Sequence, residues 1–263
     1  MTRYGYAGYH MVEGSAWPFV ASLGALGMVT GLVKWFHLFL YDLVTLSFIC
    51  VLICAWMWWR DIIREGTLTG KHPVIVMRGL KMGMILFIFS EVLFFFSFFW
   101  AFFHASLAPS VEIGSVWPPV GIECLNSWGV PLLNTAVLLG SGVSVTWCHH
   151  SVKNKVKNEA LVAMLLTVSL GAYFTMLQYG EYVEASYSIA DSGYGSSFFL
   201  ATGFHGAHVM IGSLFLTVCF FRVYFDHFSE ERHFGMEAAI WYWHFVDVIW
   251  VFLFLWVYCW GSW

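Results

Sequence analysis

The chain has 263 residues, of which 60% are hydrophobic, 20% aromatic and 11% charged. Globular domains carry about 25% charged residues, so a soluble globular fold is excluded, as are a disordered chain, a collagen and a disulfide-stapled miniprotein. The formal net charge of −4 says less than the placement of the charges along the chain.

That placement leaves seven intervals long enough to cross a bilayer: 14–33, 43–59, 82–111 (interrupted by Glu91), 124–152, 160–180, 192–221 and 238–263 (interrupted by Asp247). A spanning helix needs about 20 predominantly apolar residues, within about 17–25. The third, fourth and sixth intervals, at 29 or 30 residues each, are long enough to predict strong tilt or extension into the interface. Continuous runs such as Phe94-Phe95-Phe96 lack the alternation of a lipid-facing strand. The sequence therefore predicts an all-α integral membrane protein with seven transmembrane helices. It reads as one membrane domain over 1–263, with helices 1–2 at about 14–60 and helices 3–7 at about 74–260.

Arg3 precedes span one, Arg60, Arg64, Lys71, Arg78 and Lys81 separate spans two and three, Lys153, Lys155 and Lys157 follow span four, and Arg222 and Arg232 follow span six. Only Lys34 falls on the opposite side, so eleven of the twelve basic residues share one face. The positive-inside rule assigns that face to the cytoplasm or the mitochondrial matrix, with the N-terminus inside and the C-terminus outside. Asp42, Glu112, Glu123, Glu181, Glu184 and Asp191 mark the outer face. Residues 1–13 are polar and tyrosine-rich, without the pattern of a cleavable signal. The six cysteines form no Cys-x-x-Cys pair and read as small hydrophobes.

Pro18 and Pro131 open spans, and no proline breaks a span centre, so the discontinuous helices of midplane transport sites are not signalled. Residues 60–81 form a basic polar connection, and residues 108–130, with Trp117-Pro118-Pro119, an ordered surface loop. Gly27-x-x-x-Gly31 and Gly140-x-Gly142 permit close helix packing.

Glu91 is the most unusual residue. It lies near the centre of the third span between Phe87 and Phe94, where an acidic group costs about 2.5–3.5 kcal/mol on insertion scales. The neutral acid escapes most of that cost; a buried hydrogen-bonding role and a proton-handling role both remain open. His244 and Asp247, about one helical turn apart, share a face and read as a polar contact inside the bundle or as a proton-transfer element. The other histidines, including His205, His208, His104 and His149-His150, lack the spacing of a zinc or c-type haem motif, and no metal ligand is expected among them. Trp58-Trp59-Arg60-Asp61 joins an aromatic belt to a charged interface, where Arg60 and Arg64 could clamp a lipid phosphate or act as general anchors. Nucleic-acid binding is not supported: the basic side is sparse and lies at the membrane.

Several motifs then align in order: Trp58-Trp59-Arg60-Asp61, Ser90-Glu91-Val92, Phe98-Phe99-Trp100-Ala101-Phe102, Trp117-Pro118-Pro119, His149-His150, Ala201-Thr202-Gly203-Phe204-His205-Gly206 and Trp241-Tyr242-Trp243-His244-Phe245-Val246-Asp247. Together they resemble the cytochrome c oxidase subunit 3 family in its compact mitochondrial form, from about His10 to the C-terminus. The resemblance implies a multi-pass subunit of respiratory complex IV in the mitochondrial inner membrane. It would carry no redox centre, with haem a and copper in its partners, subunits 1 and 2, and further small subunits nearby. It implies a V-shaped cleft filled with structural phospholipids between the first two helices and the other five. It also implies support of the catalytic subunit through turnover, of proton uptake and of lipid and oxygen access. Glu91 resembles the family's buried glutamate and His10 a histidine near the proton entrance. Trp59, Arg64, His208, Arg222 and His227 fall at family lipid positions. Lys71-His72, Leu68 and Cys148 depart from the usual family residues. A related quinol-oxidase subunit, an independent transporter and a haem protein are the competing readings.

Overall fold

The computed structural model of the chain describes residues 9–262. Seven long helices follow in order: α1 (Trp17–Leu38), α2 (Asp42–Thr67), α3 (Val74–Leu107), α4 (Val130–Lys153), α5 (Lys157–Glu184), α6 (Ser192–Tyr224) and α7 (Phe234–Leu253). The last helix runs on through a π-helical turn, Phe254–Cys259, and a 3-10 turn, Trp260–Ser262. Among the described residues there is no strand, and all seven helices are long and apolar enough to cross a membrane. Arg3 and most of the polar leader lie outside the described residues.

Several helices outrun the charge-free intervals. α2 continues through Thr67 and α3 begins at Val74, so the polar connection expected over 60–81 shrinks to 68–73. Charges end an apolar interval, but they do not end a helix whose last turns lie among headgroups and water. The 34 residues of α3 span about 51 Å at 1.5 Å per residue, well beyond an apolar layer of about 30 Å.

Two compact units divide the chain, Met1–Leu80 and Lys81–Trp263. In the first, α1 and α2 form an antiparallel hairpin joined by the turn 39–41. Pro18 sits in the first turn of α1, where its missing N–H costs no helical bond. The Gly27-x-x-x-Gly31 pair packs as its spacing predicts, and Gly24 extends the contact by one further turn. A Cβ on Gly24 would lie 2.7 Å from Val51 Cγ2, one on Gly31 2.6 Å from the Val44 amide nitrogen, and one on Gly27 against Ser47. At one end of the hairpin the Trp17 indole donates to Asp61 at 2.7 Å, and Arg60 pairs with the same carboxylate at 2.9 Å. At the other, Lys34 pairs with Asp42 at 2.7 Å.

In the second unit α4 packs on α5, α5 on α6, α6 on α7, and α7 back on α4. Lipid supplies no hydrophobic drive between helices, so small residues and polar bonds hold them. Trp243, fully buried, fills the centre because Gly171 and Gly212 make room for it: a Cβ on either would lie 2.7 or 2.9 Å from its ring. Its indole donates to Ser141 Oγ at 2.8 Å, and the Trp250 indole to Thr135 Oγ1 at 3.0 Å. α3 meets α6 and α7 through its aromatic side chains, including Phe94 on Phe204, Phe95 on Phe245 and Phe102 on Trp260. The loop at 108–130 is anchored as expected for an ordered segment. Trp117 donates to the Gly261 carbonyl at 3.1 Å and Ser127 to that of Tyr258 at 2.9 Å. Of the second small pair only Gly142 serves close packing, against Asp247; a Cβ on Gly140 would meet nothing within 4 Å. All six cysteines are unpaired.

Candidate functional site

α3 brings Glu91 to α6, where its Oε2 lies 2.9 Å from His208 Nε2. The other ring nitrogen, Nδ1, lies 2.6 Å from the Phe204 carbonyl oxygen. A carbonyl can only accept, so Nδ1 carries a hydrogen, and the neutral ring presents a bare lone pair at Nε2. The short contact to Glu91 therefore needs one proton between the two groups. The pair has no net charge whether that proton rests on the carboxyl or on the imidazole. Glu91 keeps 23% and His208 11% side-chain exposure, and the rings of Phe94, Phe95, Tyr242 and Phe245 surround the imidazole. A neutral pair in an aromatic enclosure avoids the cost of an isolated intramembrane charge. His205, three residues earlier, turns elsewhere: it is buried, with Nε2 3.1 Å from the Val246 carbonyl oxygen. The two histidines do not converge on a common ligand.

His244 and Asp247 do share a face of α7, with Nδ1 3.6 Å from Oδ2. That separation is too long for a hydrogen bond. Asp247 is buried while His244 is 44% exposed, and both line an open groove of about 850 Å³ with Leu139, Gly142, Val143 and Trp147.

At the end of α6 the Arg222 guanidinium stacks 4.2 Å from the centre of the Phe228 ring, a cation–π contact. The His227 N–H donates to the Arg222 carbonyl at 2.9 Å, which sets the two predicted lipid residues side by side. In the first unit Trp59 and Arg64 are exposed on α2. His10 reaches the end of the same helix, with Nδ1 4.0 Å from Glu65 Oε2 and its ring 5.8 Å from that of His72. Burial holds the His72 imidazole below the ordinary histidine range; His10 lowers it further and Glu65 opposes the shift.

One of the acids read as outer-face is buried in the structure. Glu181, counted by its position among the outer-face acids, belongs to α5 and is 4% exposed. It accepts a hydrogen bond from the Tyr258 hydroxyl at 3.3 Å, which itself accepts one from Gln178 at 3.0 Å. The i, i+3 spacing of Gln178 and Glu181 at the end of an apolar run was the available signal.

Comparison with known proteins decides the family. The family model "Cytochrome c oxidase subunit III" matches residues 7–262. A cytochrome c oxidase subunit 3 from Canis lupus is 57% identical over 254 residues, covering 97% of each chain. The chain belongs to the cytochrome c oxidase subunit III family. Equally similar is the subunit 3 of Lumbricus terrestris, 57% identical over 97% of this chain and 98% of its own, and that of Antidorcas marsupialis is 58% identical over 97% of each. As a cytochrome c oxidase subunit it is a multi-pass component of a respiratory oxidoreductase complex, complex IV. The quinol-oxidase, transporter and haem-protein readings give way to this one.

Proposed function

We propose that this chain is the redox-silent core subunit of its oxidase, embedded in the mitochondrial inner membrane with its N-terminus on the matrix side. Haem a and copper are held by subunits 1 and 2, and small subunits complete the complex. The chain supports the catalytic subunit through turnover, holds structural phospholipid, and assists proton uptake and oxygen access. Arg64 and Arg222 take anionic headgroups, with Trp59 and His227 beside them. His10, with Glu65 and His72, supplies titratable groups at the proton-entry side. The charge asymmetry supports this orientation.

The observation that carries the reading is the closure of the Glu91 network. A proton path needs an exit, and the chain from Glu91 through His208 ends on the Phe204 carbonyl, a peptide oxygen that accepts a hydrogen bond and passes no proton on. Glu91 and His208 therefore act by position, as an interhelical clasp. Reconstituted oxidase carrying Glu91→Gln should keep its proton-to-electron ratio. A large loss of pumping with assembly intact would make Glu91 a carrier and overturn the assignment.

A further inference from the structure

Three side chains outside the network above converge where α4 ends and α7 begins. His233 is buried, 5% exposed, and its Nδ1 lies 2.9 Å from the Ser229 carbonyl oxygen. As with His208, the carbonyl fixes the hydrogen on Nδ1, and the lone pair of the neutral ring projects from Nε2. In front of that lone pair lie His149 Nε2 at 3.3 Å and Glu237 Oε1 at 3.4 Å. All three atoms fall within 4.8 Å of one another.

These distances have a specific meaning in coordination chemistry. Zinc binds imidazole nitrogen and carboxylate oxygen at about 2.0–2.2 Å in tetrahedral geometry. A tetrahedron's edge is about 1.63 times its centre-to-vertex length, so neighbouring ligand atoms stand about 3.3–3.6 Å apart. Both measured edges at His233 match. We propose that His149, His233 and Glu237 form a transition-metal site with the dimensions for Zn²⁺, its fourth position open to water.

The surroundings are those of a ligand set. A ligating histidine ordinarily donates its second ring N–H to a carbonyl or carboxylate, which fixes tautomer and ring orientation, and Ser229 does so for His233. Lys81 Nζ lies 2.6 Å from Glu237 Oε2, so it holds the far carboxylate oxygen and leaves Oε1 aimed at the two imidazoles. The two-nitrogen, one-oxygen set disfavours Mg²⁺ and Ca²⁺, which take oxygen cages. The positive charge of Lys81 weakens cation binding, which suits a site that fills and empties with the zinc level. Filling it would tie the end of α4 to the start of α7.

The test uses the intact oxidase containing this chain, stripped with a chelator and titrated with Zn²⁺ alone. Wild-type complex should bind one zinc per complex more than His149→Gln or Glu237→Gln complex, counted by elemental mass spectrometry. Anomalous diffraction of the wild type at the zinc edge should place a peak within bonding distance of all three side chains. That second measurement needs no variant, so it decides even if a substitution blocks assembly. Equal zinc content across the series, or no peak between the two helix ends, would overturn the site and leave a shared proton as what joins the three groups.

Discussion

Truncating Glu91 should loosen the second unit more than replacing it with glutamine. Interhelical hydrogen bonds in membranes average about 0.6 kcal/mol and reach about 1.7, and stranding a buried polar partner costs about 1–3 kcal/mol. Glu91→Ala removes the bond and leaves His208 Nε2, on a side chain only 11% exposed, without a partner. The expected loss is about 1–3 kcal/mol. Glu91→Gln offers an amide N–H to the same lone pair and should cost less than about 1 kcal/mol. At roughly 2–4 °C per kcal/mol for chains of this size, Ala lowers the midpoint by about 2–12 °C and Gln by less than about 4 °C. The assay heats the purified complex in fixed detergent and measures the fraction of this chain still bound, alongside the proton-to-electron ratio in vesicles. His208→Leu should resemble Glu91→Ala, because it strands the other member of the pair. The clasp reading fails if Gln costs as much as Ala, or if His208→Leu leaves the midpoint unchanged.

Three further outcomes follow from other parts of the chain. Gly31→Ala places a Cβ against the Val44 backbone at 2.6 Å; overpacking of this kind costs about 1–3 kcal/mol, and cross-linking between α1 and α2 should fall. Replacing both Arg64 and Arg222 with Ala should reduce tightly bound phospholipid, counted by mass spectrometry of the purified complex. His72 is held below its ordinary value of 6.5, chiefly by burial. The unfolded segment then binds the proton first, so the local stability present above pH 6.5 is lost as pH falls through the lowered value. Amide exchange over 68–73 should accelerate across that window, and His72→Asn should flatten the response.

The seven spans were legible because each charge inside the apolar layer is expensive enough to be rare. The intervals between charges thus track the helices even where, as in α2 and α5, the helix runs several residues into the interface. Pro18 at the start of α1 and the Gly27-x-x-x-Gly31 pair were legible too, since they act over a single hairpin. The partner of Glu91 was not. Glu91 and His208 are 117 positions apart, and nothing local to either says that α3 and α6 bring them together. Glu181 hid behind its place near the end of an apolar run, where a carboxylate ordinarily faces water. His149 and His233 sit at helix ends, 84 positions apart, where a histidine is unremarked, and only the packing of α7 on α4 gives them a common focus.

That same packing makes a sharper demand at Gly142. The Asp247 carboxylate reaches α4 because position 142 has no side chain: a Cβ there would stand 2.7 Å from Oδ2 and 3.7 Å from the His244 ring. The carboxylate is buried on a helix facing the groove, and its Oδ1 makes no hydrogen bond, so it has no second anchor to swing toward. Gly142→Ala should therefore displace Asp247 and destabilise the α4–α7 contact by about 1–3 kcal/mol. Asp247→Ala alone should leave a void beside Gly142. Combining the two lets the new methyl group occupy space the carboxylate has vacated, so the costs should not add. Contacting pairs of this kind show coupling of about 0.5–3 kcal/mol, here in the direction of rescue. Thermal release of the chain from the complex measures all four corners of the cycle. Strict additivity would show that Gly142 and Asp247 do not compete for the same space.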